Sequence, residues 1–116
     1  MGCVMHRFIA RANIDSYVSL LNADVILSPD KRSTIVKLLI AEIDRLSSDL
    51  EHLEFAETRA ANGRERLKQV KHFRDNADQE IRDNAEQLVA NVEATQQLLE
   101  DFCHRLRAMA RSSVSS

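Results

Sequence analysis

The chain has 116 residues, enough for one domain and too few for two ordinary ones. It holds only 2 Gly and 1 Pro, no Trp, 1 Tyr and 4 Phe, which excludes a strand-rich fold built on turns and aromatic side chains. A formal net charge of −2 excludes the overall basic footprint of a nucleic-acid binder, and Cys3 and Cys103 stand too far apart for a CxxC motif or a disulfide framework.

Residues 7–23 read as a first helix. Ile14, Tyr17, Val18, Leu21 and Val25 recur at three and four and form one apolar stripe. The N-terminal Met1-Gly2-Cys3 is similar to the start of an acylation signal, but His6 stands where Ser or Thr is expected. No apolar run approaches the ~18 residues of a membrane span. The sequence therefore predicts a cytoplasmic protein with no membrane partner.

Ser28-Pro29-Asp30 marks the next start. Ser28 can accept from a free N–H of the new helix, Pro29 suits the first helical position, and Asp30 complements the positive helix end. From Pro29 the helical pattern runs to about Arg74. Val36, Leu39, Ile43, Leu46, Leu50 and Leu53 alternate three and four apart, a heptad seam. A three-residue step then continues the line through Ala56, Ala60, Gly63, Leu67 and Val70. Its small residues imply close approach of another helix. Asn62-Gly63 could end a helix, but Gly63 on this line favours a continuous one.

A turn is expected over residues 74–78, with Asn76 or Asp78 capping the last helix. That helix, about 78–110, has the cleanest repeat: Ile81, Ala85, Leu88, Val92, Thr95, Leu99, Phe102, Leu106 and Met109. Residues 112–116 read as a flexible Ser-rich tail.

Charge orders these helices. Segment 59–74 carries Arg59, Arg64, Arg66, Lys68, Lys71 and Arg74 against Glu65 alone. Segment 75–101 carries Asp75, Asp78, Glu80, Asp83, Glu86, Glu93, Glu100 and Asp101 against Arg82 alone. Folding back near residue 76 sets basic arm beside acidic arm, with Lys68, Lys71 and Arg74 facing Asp78, Glu80 and Asp83. The expected fold is all-α, a single domain over 1–111. It has a short N-terminal helix and a long antiparallel coiled-coil-like hairpin of helices 29–74 and 78–110. Two slender rods cannot enclose their own stripes, so a homodimeric helical bundle is expected. Its interface would use Val36, Leu39, Ile43, Leu46, Leu50, Leu53, Leu88, Val92, Leu99, Phe102 and Leu106. Val25, Ile26, Leu27, Leu38, Ile40, Val89 and Leu98 would stay partly exposed.

Residues that could carry chemistry are few. Asp49-x-x-His52 and Asp101-x-x-His104 each place a carboxylate and an imidazole one turn apart, and the charge-matched register sets residue 49 near residue 103. Dimetal bundles use such pairs, but with inward Glu partners that are missing here. The preferred reading is solvated flanking residues, with no metal and no cofactor. Phe102-Cys103-His104-Arg105-Leu106-Arg107 resembles a histidine-kinase phosphoacceptor box but lacks its Asn. Glu51-His52-Leu53 lacks the Thr-Pro that follows such an acceptor. Cys103 and His104 are adjacent and point about 100° apart on a helix, so they do not form a nucleophile pair. Cys103 reads as a small packed residue.

Two stretches are similar to a recurring pattern: Asn13-Ile14-Asp15-Ser16-Tyr17-Val18-Ser19-Leu20-Leu21, and Lys31-Arg32-Ser33-Thr34-Ile35-Val36-Lys37-Leu38-Leu39-Ile40-Ala41-Glu42. They resemble short helical proteins of soil alphaproteobacteria, in which an Asn-Ile-x-x-Tyr-x-x-Leu-Leu helix precedes an Arg-x-x-Ile-x-x-Leu-Leu-x-Glu helix. The resemblance covers about a third of the chain and implies a bacterial cytosolic protein, without assigning functional residues. The functional expectation is a non-enzymatic, dimeric interaction module, an adaptor or regulator that meets another protein through exposed apolar helix faces. A histidine phosphotransfer module using His52 or His104, or a metal-binding bundle, is the alternative.

Overall fold

Ser47, Ser48 and Asp49 decide the architecture. Their side-chain oxygens compete for backbone groups, which makes them poor helix-interior residues. In the computed structural model, which describes residues 2–115 and the side chains of 8–112, the expected long helix breaks there. Helix α2 spans Pro29–Leu46 and helix α3 spans Leu53–Asp75, with one 3₁₀ turn at Leu50–His52 between them. Ser47 Oγ donates to the Ile43 carbonyl at 2.6 Å, and Ser47 N–H bonds Asp44 O, which closes α2. Asp49 Oδ1 then accepts from Glu51 N–H at 3.0 Å and caps the 3₁₀ turn. The heptad spacing across Leu46, Leu50 and Leu53 continues through this break without marking it.

The protein is all-α, with no strand among the described residues. Helix α1 spans Gly2–Leu21, and helix α4 spans Gln79–Ser115. α4 therefore extends through most of the expected tail; the side chains of Met1-Gly2-Cys3 and of residues 113–116 lie outside those described. α2 starts at Pro29 with Ser28 Oγ accepting from Lys31 N–H at 3.3 Å. α3 runs unbroken through Asn62-Gly63. The turn before α4 is short, but Asn76 does not cap α4: its side-chain amide donates back to the His72 carbonyl at 2.8 Å and closes α3.

Side-chain bonds fix how the helices lie. Between α3 and α4, Glu57 meets Arg107, Ala60 meets Gln96 and Arg64 meets Glu100. From α1 and the residue after it to the 3₁₀ turn and α3, Arg11 meets His52, Asp15 meets Arg59 and Asn22 meets Arg66, with both numbers rising together. Between α2 and α4, Arg32 meets Asn91 and Asp44 meets Arg105, again rising together. α1 and α2 thus form one layer on the layer of α3 and α4, and the 29–74 rod of the expected hairpin is folded in two.

The core follows from this stacking. One cluster joins Ala10, Ile14 and Leu21 of α1 to Leu39, Ile43 and Leu46 of α2, Phe55, Ala56 and Ala60 of α3, and Leu99, Phe102 and Leu106 of α4. A second, smaller cluster of Val70, Leu88, Val89 and Val92 lies between α3 and α4 only. α4, with 37 residues, is about 55 Å long at 1.5 Å per residue, which sets the long dimension of the molecule, 55 Å.

The ion pairs correct the expected register near the turn. Lys68 pairs with Glu65 and Arg74 with Asp75, each within α3. Among the described residues no ion pair joins 68, 71 or 74 to 78, 80 or 83. The basic segment instead reaches further down α4 through Arg64 and across to α1 and its following loop through Arg59 and Arg66.

Candidate docking cleft at the α3–α4 tip

The expected interface residues are mostly inside. Leu39, Ile43, Leu46, Leu88, Val92, Leu99, Phe102 and Leu106 are buried within the single chain. Val36 and Leu53 are partly buried against the same core, and Leu50 is half-buried. The break at Ser47 is the physical cause: α1 and α2 cover the α3–α4 layer that a second copy was expected to cover. Val89 is buried too, while Val25, Ile26, Leu38 and Ile40 are exposed.

The two histidine motifs separate. His52 is only 1% exposed, so the solvated reading fails for it. Arg11 Nε donates to His52 Nδ1 at 3.0 Å, and Arg11 Nη2 donates to the Glu51 carbonyl at 3.2 Å. Nδ1 acts as an acceptor in this bond, which places the ring proton on Nε2. The Arg11 guanidinium also lies over the Phe55 ring at 5.1 Å, and that of Arg59 at 4.3 Å. Arg59 holds Asp15 bidentately at 2.6 and 2.8 Å; the hydrogen bond to Asp15 keeps the Arg59 proton more firmly bound than usual. His52 is thus a pinned structural residue joining α1 to the 3₁₀ turn. His104 is exposed on α4, and Asp101 accepts from Gln97. Asp49 is engaged as a cap. Among the described residues no three His, Cys, Asp or Glu side chains group where they could hold a metal ion.

Cys103 is fully buried, and burial pushes its thiol above the ordinary cysteine range. That disfavours the thiolate and with it nucleophilic chemistry.

What the structure leaves open is a cleft of about 630 Å³ between the ends of α3 and α4. It exists because the α1–α2 layer stops short. The loop after α1 is fastened to α3 at Arg66, whose Nε donates to the Asn22 carbonyl at 2.8 Å and whose Nη2 donates to Asp24 Oδ1 at 2.7 Å. Beyond Arg66, α3 continues to Asp75, a further stretch of about 14 Å whose buried cluster, among the described residues, draws only on α3 and α4. Val70 and Leu88, part of the smaller core cluster, line the cleft. Phe73 and Ile81 stand on its two walls, 47% and 42% exposed, and Ile26 of the loop closes one edge. Gln69 and Asn84 supply amide groups on α3 and α4, and the Arg66–Asp24 pair lies at the loop edge.

No protein family, curated protein or solved structure matches this chain. The site is therefore read from its own residues. The sequence placed Ile81 on the apolar line of the last helix and Ile26 in an apolar run. It gave no reason to join them with Phe73, because the cleft depends on where the α1–α2 layer ends. Among the described residues, no helix is long and apolar enough to cross a membrane.

Proposed function

We propose that this chain is a non-enzymatic helical interaction module, an adaptor or regulator of the bacterial cytosol that binds another protein. The observation that carries this reading is the apolar cleft lined by Ile26, Val70, Phe73, Ile81 and Leu88. Large apolar side chains left together at a helix pair are the usual chemistry of a protein contact. In this reading α3 and α4 act as an antiparallel coiled-coil-like hairpin that presents the cleft, and the α1–α2 layer holds it in place. Ile9, Leu20, Leu38 and Ile40 are among the apolar side chains left exposed on α1 and α2, where two copies would meet in a dimer.

Affinity capture from a bacterial lysate with immobilised wild-type chain and with Ile81→Asp tests the reading. A protein retained by the wild type and lost with the variant supports it. Identical retention by both overturns the assignment of the cleft. Light scattering on a sizing column across a concentration series tests the dimer, and a constant monomer mass removes it. The phosphorelay alternative now rests on His104 alone, since His52 is enclosed. Unchanged phosphate acceptance on His104→Ala would eliminate it.

A further inference from the structure

We propose that the joint between α2 and α3 is a hinge through which two copies of this chain exchange their α1–α2 layers, forming a domain-swapped dimer. In that dimer the joint is straight and α2 and α3 run as one rod. The α1–α2 layer of each copy then lies on the α3–α4 layer of the other. This exchange deepens the dimer of the reading above by naming its contact, and it does not involve the cleft.

Connectivity permits it. The first layer ends at Leu46 and the second begins at Leu53, so the chain passes between the layers once, at residues 47–52. Each layer has bonds of its own: Asn13 to Glu42 in the first at 3.0 Å, and Arg64 to Glu100 in the second at 2.9 Å. The bonds between layers, such as Asp15 to Arg59 and Asp44 to Arg105, can form whichever copy supplies each side. A second copy therefore offers each layer the partner surface it already has, and exchange keeps these contacts.

The joint is bent by replaceable chemistry. The bonds that close α2 and open the 3₁₀ turn are local, from Ser47 Oγ to the Ile43 carbonyl and from Glu51 N–H to Asp49 Oδ1. Ser47, Ser48 and Asp49 disfavour a helix interior without forbidding it, and neither Gly nor Pro interrupts residues 47–53. Arg11 holds His52 from α1, and α1 of the other copy can bring the same guanidinium.

The register favours a straight form. Leu39, Ile43, Leu46, Leu50 and Leu53 keep a 4, 3, 4, 3 spacing through the joint, which a bend does not require. In one rod this line stays on one face. Leu50, half-buried in the closed chain, then gains an apolar neighbour where the two rods cross at the dimer axis.

Leu50→Pro separates the two forms. Asp49 has φ −134° and ψ 114°, the extended conformation suited to a residue before proline, and position 50 opens the 3₁₀ turn, so the bent joint accepts the ring. In a straight rod the same ring removes a helix bond and clashes with the Leu46 carbonyl. Wild type, Leu50→Pro and the double variant Ser48→Ala with Asp49→Ala are refolded from urea at low and high concentration, then weighed by light scattering on a sizing column. The expected result is a dimer from concentrated wild type and a monomer from Leu50→Pro. The alanine variant should lower the dimer dissociation constant about tenfold. A mixture supplies the second arm. Asp15→Arg and Arg59→Asp each set like charges between the layers. Refolded together, an exchanged heterodimer pairs the new arginine with the new aspartate and leaves Asp15 on Arg59 in its other half. The mixture should give a dimer with a higher urea midpoint than either chain alone. A dimer that Leu50→Pro retains would join through outer faces, which overturns the exchange and leaves the dimer reading standing. Monomer throughout, the alanine variant included, overturns both. A mixture that unfolds as the sum of its parts also overturns the exchange, and this arm decides should Leu50→Pro fail to fold.

Discussion

Gly63 of α3 and Gln96 of α4 are in direct opposition: a methyl group placed on Gly63 would collide with the Gln96 side-chain oxygen. The same amide donates its Nε2–H to the Ala60 carbonyl at 2.8 Å, one turn before Gly63. Ala56 and Ala60, both fully buried, continue the close contact. Gly63 sits inside a helix, where Ala is ordinarily better by about 1 kcal/mol. Here the preference should invert. Gly63→Ala should destabilise the protein by about 1–3 kcal/mol through overpacking, read as a lower urea midpoint. Shortening the opposing side chain, in Gly63→Ala with Gln96→Ala, should recover part of that loss. Additive losses in the double-mutant cycle would show that the two residues are not coupled.

His52 and His104 should respond oppositely to truncation. His52 is enclosed and accepts from a charged guanidinium, so His52→Ala should cost about 2–4 kcal/mol by combining a lost hydrogen bond with a cavity. His104→Ala, on an exposed helix surface, should stay within about 0.5 kcal/mol. Chemical denaturation of both variants checks this, and equal effects would contradict the placement of His52.

Cys103 should be silent in the native state. With Cys3 replaced by Ser, the remaining thiol should react with a disulfide reagent only as fast as the protein opens, and at once in denaturant. Because burial raises the folded-state value, the folded chain holds its thiol proton more tightly than the unfolded chain. Stability from this group should then fall as pH rises through the unfolded-state range near about 8.5. A Cys103→Ala chain should lack that alkaline slope.

Glu100 makes the opposite contribution. The Arg64 guanidinium donates to it twice, at 2.9 and 3.0 Å, and these hydrogen bonds hold the carboxyl below the usual carboxylate range. The folded chain therefore binds this proton less readily than the unfolded one. The stabilising effect is full above the unfolded-state value of about 4.3 and fades as pH falls through the lower folded-state value. Both partners are well exposed, so the effect is small and screened by salt. Glu100→Gln should flatten the acid limb of a stability–pH curve measured in low salt. An unchanged limb would mean that solvent already screens the pair completely.

The sequence carried some of this clearly. The start of α2 is local chemistry: Ser28, Pro29 and Asp30 each satisfy a need of a helix start within one turn. The seam of α4 is a repeat sustained over many turns, and Leu88, Val92, Leu99, Phe102 and Leu106 are indeed buried. The line through Ala56, Ala60 and Gly63 announced a close neighbour, which is Gln96 of α4. The reversal after Leu46 was illegible from spacing because Leu46, Leu50 and Leu53 suit either a straight rod or two helices meeting at a joint. Its signal lay in the oxygens of Ser47 and Asp49. The burial of His52 depends on Arg11, distant in sequence and on another helix, so no local pattern could reveal it. The cleft was hidden for a similar reason: it is defined by the end of one layer over another.

The main core has a consequence for how the chain can be made. Ala10 and Ile14 near the beginning complete their packing only against Leu99, Phe102 and Leu106 near the end. A growing chain therefore cannot close this core until residues 99–106 have emerged. Its early helices must wait, with their apolar faces open, for the last part to arrive. A stop codon just before residue 99 would then remove far more than a peripheral extension: it would leave α1 and α2 without the floor on which they rest, and the truncated product would be a target for proteolysis rather than a shortened version of the protein.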